Sequence, residues 1–289
     1  MKPAAFDYYK PKTLSEVLDL LAQFGESAKL LAGGQSLVPM MNMRLARPAQ
    51  LIDLNGLGEL DYIKIDNGEL RIGAMTRQRA LERSPVVAEG WPLLRDATRY
   101  IGHVQIRNRG TVGGSLAHAY PAAELPVAMT ALNATLILQS EQSERTVPAE
   151  TFFVDAMATS LKTTELLVEI RVPQVAPHTG WSFQEISRRH GDFALMGVAG
   201  LLTLRSDGAI EGAQLVFCGP TPHRAANIEQ QLLGHQPHSA LFHDAAKRAV
   251  AKLEPESDIH ASAAYRKEVA KVLARRALEQ AAARAFTPS

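Results

Sequence analysis

An α+β fold in two parts, about 1–176 and 177–289, is the fold class that this 289-residue chain predicts. Three observations carry it. Short apolar runs of strand length alternate with helical patterns up to about residue 172. Pro173 and Pro177 then bracket a short connection. Beyond it, three long strand candidates follow one another before the chain turns helical.

Taken in order, Thr13-Leu-Ser-Glu16 has the T-x-x-E form of a capping box. Val17, Leu18, Leu20, Leu21 and Phe24 continue at helical spacing, and Gly25 supplies the stop. Ala28–Ala32 and Leu51–Leu54 read as strands. Tyr62–Ile65 and Glu69–Ile72 flank Asn67-Gly68, a hairpin signal because both residues accept positive φ. Trp91–Ile101, with Pro92 in its first turn, and Pro121–Leu132 read as helices. Thr135–Leu138 and Leu166–Val172 are β-rich. Gly180–Ile186, Leu195–Arg205 and Ile210–Cys218 form an expected antiparallel meander, with a turn at Ser206-Asp207-Gly208. Ala225–Leu233, Ala240–Lys252 and Ser262–Phe286 are the closing helices.

Composition excludes several function classes. A hydrophobic content of 46% with 21% charged residues fits a globular protein with a real core. Thirty-one Lys+Arg balance 30 Asp+Glu, so no broad electrostatic drive points to nucleic acid or an acidic membrane. Cys218 is the single cysteine, which leaves no intrachain disulfide, CxxC pair, Cys-ligated zinc or iron–sulfur cluster. The polar N-terminal stretch has no apolar signal core, and the most apolar run, Ala194–Leu204, is eleven residues long. A membrane span needs about 20. The expectation is a cytoplasmic protein without a membrane or nucleic-acid partner.

P-loop, G-x-G-x-x-G, H-E-x-x-H and G-x-S-x-G motifs are all missing. Two glycine-pair loops remain: Leu31-Ala-Gly-Gly-Gln-Ser36 after a strand, and Arg109-Gly-Thr-Val-Gly-Gly-Ser115. Paired glycines let the backbone approach a ligand closely, and successive free N–H groups bind anions. Two such loops facing each other suit the two phosphates of a pyrophosphate. Either pair alone more often marks only a tight turn.

Ala32-Gly-Gly-Gln-Ser-Leu-Val-Pro39 and the run Gly102–Ala117 resemble the FAD-binding medium subunit of molybdenum hydroxylases. That family includes xanthine dehydrogenase, carbon monoxide dehydrogenase and quinoline oxidoreductase. Pro121–Pro126, Ser187–Ala194, Gly219–Arg224 and Asp258–Arg266 extend the resemblance in order along the chain. It implies a vanillyl-alcohol-oxidase-type (PCMH-type) FAD-binding domain of two α+β subdomains, about 1–55 and 56–176. A C-terminal domain at 177–289, an antiparallel three-stranded sheet with helices, would follow. It also implies site residues. Leu31, Ala32, Gly33, Gly34, Gln35, Ser36 and Leu37 match the pyrophosphate loop, and Thr111, Gly113, Gly114 and Ser115 the second phosphate-side loop. Ile101 and His103 fall near the flavin ring, Glu124 at an acidic contact, Leu167 at a backbone contact, and Asp192 and Phe193 in a mobile loop beside the ring. Tyr120 departs from the pattern, where many relatives carry Asp or another small residue.

Blander readings stand beside these. Ser36 and Thr111 suit turns or caps, and Glu124 suits a helix first turn. His103 suits a structural role, Phe193 a core position and Cys218 a buried inert thiol. The basic run Arg266, Lys267, Lys271, Arg275 and Arg276 suits a solvated helix face.

The function implied by the resemblance is electron transfer through FAD, with no catalytic or metal-ligating residue on this chain. Electrons would come from [2Fe–2S] clusters on a small subunit and pass to an external acceptor. A large molybdopterin-bearing subunit would hydroxylate an N-heteroaromatic compound with oxygen from water, or oxidise carbon monoxide or an aldehyde. The implied assembly is a hexamer of two large, two medium and two small chains. The alternatives are a self-sufficient FAD-dependent oxidase or dehydrogenase of the vanillyl-alcohol-oxidase type, and a scaffold protein without flavin.

Overall fold

The computed structural model describes residues 1–286; the last three residues of the expected C-terminal part lie outside the described residues. At the N-terminus Thr13 Oγ1 accepts from the Glu16 N–H at 3.3 Å, and the Glu16 carboxylate reaches back to the Lys12 N–H at 2.7 Å. These bonds open the helix Leu14–Phe24, which buries Val17, Leu18 and Leu21. The helix covers a parallel sheet in which Gln50–Asp53 lies between Asp7–Tyr9 and Ala28–Leu31. Asp7–Tyr9 is an edge strand with two exposed residues, so it leaves no apolar alternation to read.

A five-stranded antiparallel sheet follows, in the order Ile63–Asp66, Glu69–Gly73, Leu166–Val172, Thr135–Gln139, Glu144–Pro148. Asn67 and Gly68 both take positive φ, +52° and +80°, as the hairpin signal requires. The central strand is buried on both faces. Leu166 and Val168 join a small core with Val17 and Ile52, whereas Leu167, Ile170 and Val172 join the large one.

The helix predicted over 121–132 runs only over Glu124–Ala131, because Ala123 N–H closes a turn onto the Tyr120 carbonyl first. Every residue of it is buried, including the polar Glu124 and Thr130. It packs against strands Met196–Leu204 and Ile210–Phe217 of the C-terminal sheet. The second sheet's helices and the C-terminal sheet therefore share one continuous core.

The C-terminal sheet has the three expected long strands and a fourth, His223–Arg224, paired with Ile210–Phe217. The expected three-stranded sheet is thus corrected to four; two residues after Gly219-Pro-Thr-Pro carry no periodicity. Helix Ala263–Ala285 crosses Thr179–Ile186 and Met196–Leu204 on a stripe of buried alanines including Ala270, Ala274, Ala277 and Ala281. The approach is so close that a Cβ at Gly180 would overlap the Ala281 carbonyl. Among the described residues no helix is long and apolar enough to cross a membrane.

Candidate functional site

The first glycine segment leaves strand Ala28–Leu31 and enters helix Leu37–Asn42. Gly34 takes φ +74°, a left-handed conformation that an L side chain resists. A Cβ on buried Gly33 would stand 2.5 Å from the Arg109 carbonyl oxygen and 2.8 Å from Gly110 Cα. The two glycine segments are therefore in direct backbone contact. The N–H groups of Gly33, Gly34, Gln35 and Ser36 find no acceptor among the described residues.

The second segment is not the loop expected. Val112–His118 is a helix, with Gly113 and Gly114 in its first turn and Thr111 as its N-cap. Thr111, 2% exposed, accepts from the Gly114 N–H at 3.0 Å, so the capping reading of this residue holds in the structure. Gly113 N–H is spent on the Ala74 carbonyl at 2.9 Å, and a Cβ there would press on Ala74. Gly114 and Ser115 are half-buried, and Gly114 faces Ala32.

Two residues that sequence reasoning missed tie the segments together. Asn55 Nδ2 donates to the Ala32 carbonyl at 3.0 Å, and its Oδ1 accepts from Arg77 at 2.7 Å. Arg77 donates onward to the Arg109 carbonyl. Burial and the nearby Arg109 charge lower the Arg77 pKa. A guanidinium so placed adds positive potential beside the free N–H groups. Asp53-Leu54-Asn55 carried a readable sign, an aspartate whose Oδ1 accepts from the N–H two residues on (2.9 Å). Arg77 carried none.

Helix Val112–His118 packs on the strand that holds Leu167. Leu167 is buried beside a register shift between Leu167 and Glu169. The far end of the helix turns through left-handed Ala119 (φ +48°) into Tyr120. There the hairpin loop 187–195 arrives from the C-terminal sheet. Phe193, 68% exposed, sets its ring 4.4 Å from that of Tyr120, centroid to centroid. Gly191, at φ +87°, lies against the His103 ring so closely that a Cβ would overlap it. Asp192 Oδ2 is buried without a hydrogen bond; its nearest cation is Arg188 at 3.7 Å. Ile101 is held by a third missed residue, Arg107. It is 5% exposed, donates to the Ile101 carbonyl at 2.8 Å and pairs with Glu82 at 2.9 Å. Burial pushes the Glu82 carboxyl up, but bonds from Arg79 and Arg107 outweigh this and hold it below its usual range.

Glu124 is buried, and burial raises its pKa to about 7. Burial, with the Glu124 charge second, pushes Glu185 up to about 9. Cys218 accepts from the Gly197 N–H at 2.8 Å, and burial raises its pKa to about 12, the inert thiol expected.

The residues present suit a dinucleotide. A glycine cradle, four unspent N–H groups and a guanidinium gather at one end of helix Val112–His118. An aromatic and imidazole cluster gathers at the other.

Two family models match: the FAD binding domain in molybdopterin dehydrogenase over residues 4–175, and the CO dehydrogenase flavoprotein C-terminal domain over 181–281. The 6-hydroxypseudooxynicotine dehydrogenase complex subunit alpha of Paenarthrobacter nicotinovorans is 42% identical over 99% of this chain and 97% of its own. The caffeine dehydrogenase subunit beta of Pseudomonas sp. (strain CBB1) is 39% identical, over 98% of this chain and 97% of its own. Among solved structures, a carbon monoxide dehydrogenase from Hydrogenophaga pseudoflava superposes with a TM-score of 0.95 at 40% identity, covering 98% of this chain and 99% of that one. The chain therefore belongs to the FAD-binding medium subunits of the molybdenum-containing dehydrogenases, the family of carbon monoxide dehydrogenase.

Proposed function

We propose that this chain holds FAD around helix Val112–His118 and serves as the last station of a molybdenum hydroxylase. In this reading residues 1–176 bind the cofactor, and 177–289 contribute the loop beside the flavin ring. Leu31 to Leu37, with Thr111, Gly113, Gly114 and Ser115, take the pyrophosphate end. Ile101, His103, Asp192 and Phe193 take the ring end, Glu124 is an acidic contact, and Leu167 is a backbone contact near the adenine end. The observation that carries the reading is the backbone contact of the two glycine segments at Gly33, beside four N–H groups with no acceptor among the described residues.

FAD, when bound, supplies the redox chemistry, receiving electrons and passing them to an acceptor. The residues of this chain bind and orient it. Gly33 and Gly34 admit the phosphates, Arg77 offsets their charge, and Arg107 fixes the chain at Ile101. Electrons are taken from [2Fe–2S] clusters of a small subunit, and hydroxylation occurs on a large molybdopterin subunit, within a hexamer of two copies of each chain. The names of the nicotine-derivative and caffeine relatives support an N-heteroaromatic substrate for the whole enzyme, with water as oxygen source. We place the assembly in the cytoplasm. The self-sufficient alternative needs a substrate-covering domain. The match of 181–281 to a dehydrogenase flavoprotein C-terminal domain speaks against one.

The test is to purify the chain alone and record its flavin spectrum with candidate substrates, then repeat with the large and small partners. Reduction only in the reconstituted complex is expected. Direct reduction of the isolated chain by a small substrate would overturn the proposal.

A further inference from the structure

Tyr120 stands where the sequence departs from the pattern it resembles, and the structure gives it a specific neighbour. Helix Val112–His118 ends at Ala119, whose left-handed φ of +48° costs conformational energy for a residue with a Cβ. That turn is fixed from both sides. Ala119 N–H donates to the Ser115 carbonyl at 3.2 Å, and the Ala119 carbonyl accepts from Met157 N–H at 2.9 Å. The Tyr120 carbonyl accepts from Ala123 N–H at 2.9 Å, so the tyrosine main chain is held as well. The His118 ring lies 6.1 Å from that of Tyr120 at an interplanar angle of 11°. The Phe193 ring lies at 4.4 Å and 40°.

Phe193 belongs to the hairpin loop between strands Thr179–Ile186 and Met196–Leu204, closed by the Leu195 N–H to Ile186 carbonyl bond of 2.8 Å. Its ring is 68% exposed, an unusual state for a phenylalanine in an aromatic contact. Outside its own strands the loop meets the Tyr120 ring at Phe193 and the His103 ring at Gly191 and His190, while its C-terminal end is held by Arg266, which donates to the Leu195 carbonyl at 2.7 Å. His103 and Ser115 are candidate cofactor residues that both precede Tyr120 in sequence, and Ser115 lies on the helix that leads into it. The aromatic pair thus bridges the C-terminal loop to the element that presents the second phosphate-side residues.

Resting on the FAD reading above, we propose that Tyr120 is a positioning residue: it pins Phe193 and holds loop 187–195 closed beside bound FAD, so that the cofactor leaves only when this contact opens. The Tyr120 ring does this, and its hydroxyl has no hydrogen-bond partner among the described residues.

The test uses the full-length chain loaded with FAD, with release followed by the fluorescence of freed flavin after dilution. Tyr120→Ala and Phe193→Ala are each expected to release FAD about three- to tenfold faster, the range an aromatic pair supplies. Phe193→Ala also removes that residue's own place at the ring end, so the double variant is expected to be no faster than Phe193→Ala alone, because both changes remove the same aromatic contact. Tyr120→Phe keeps the ring and is expected to behave as wild type. Iodide quenching of the bound flavin is expected to rise in the two alanine variants only. Unchanged release rates, or single effects that multiply in the double variant, would overturn the clasp while leaving FAD binding intact. A wild-type chain that takes up no FAD would overturn the parent reading itself, and the clasp with it.

Discussion

Arg107 shows how a single residue sets the site without touching a ligand. Its guanidinium is buried, paired with Glu82, and donates to the carbonyls of Ile101 and Gly102 at 2.8 and 3.1 Å. Replacing it by Ala leaves Glu82 with Arg79 at 2.7 Å but takes the donor from the Ile101 and Gly102 carbonyls. We predict a loss of ~1–3 kcal/mol in denaturant unfolding, with Arg107→Lys only partly rescuing because the fork is lost. Nothing in the local sequence marked Arg107, since a basic residue on a short helix usually faces water. Gly33 and Gly34 were legible as positions that need glycine: Gly34 turns left-handed, and Gly33 lies against the Arg109–Gly110 backbone. Thr111 was legible only as an ambiguity, and its hydroxyl proves to cap the helix. Asn55 and Arg77 act across 22 residues of sequence, beyond the reach of any motif.

Among the elements, the long ones were readable and the short ones were not. Helix Ala263–Ala285 and the strands Thr179–Ile186, Met196–Leu204 and Ile210–Phe217 emerge from periodicity because each buries one regular face or two. Asp7–Tyr9 and His223–Arg224 gain their strand state from their partners. The second glycine pair looked like a loop because glycine disfavours helix. Tertiary contact explains it: the Val112 and Gly113 N–H groups bond the Thr76 and Ala74 carbonyls, and only glycine fits against Ala74. The same close-approach argument applies to the C-terminal helix. Gly180→Ala must push helix Ala263–Ala285 away from its sheet. We predict a drop in Tm equivalent to ~1–3 kcal/mol or more. Gly25→Ala, whose position offers open space, should cost only the strain of its φ of +52°. Equal Tm values for the Gly180→Ala variant and wild type would contradict the packing described.

For the molecule as a whole, one core joins the second sheet's helices to the C-terminal sheet, and it carries two raised carboxyls, buried Glu124 and half-buried Glu185. Both bind a proton in the folded chain at pH values where the unfolded chain has released it. Stability must therefore fall as pH rises from about 4.5 through about 7 for Glu124 and about 9 for Glu185. Thermal unfolding of Glu185→Gln between those limits should show a higher Tm than wild type at the alkaline end and a flatter pH dependence. A pH dependence identical to wild type would count against the buried acid. The central claim, however, is that the meeting of the two glycine segments makes the FAD site. The direct measurement is a titration of FAD into the cofactor-free chain and into Gly33→Ala, whose Cβ would stand 2.5 Å from the Arg109 carbonyl. Wild type is predicted to bind one FAD per chain, and the variant to bind at least tenfold more weakly while keeping its far-UV circular dichroism. Equal affinity in the two proteins would contradict the account.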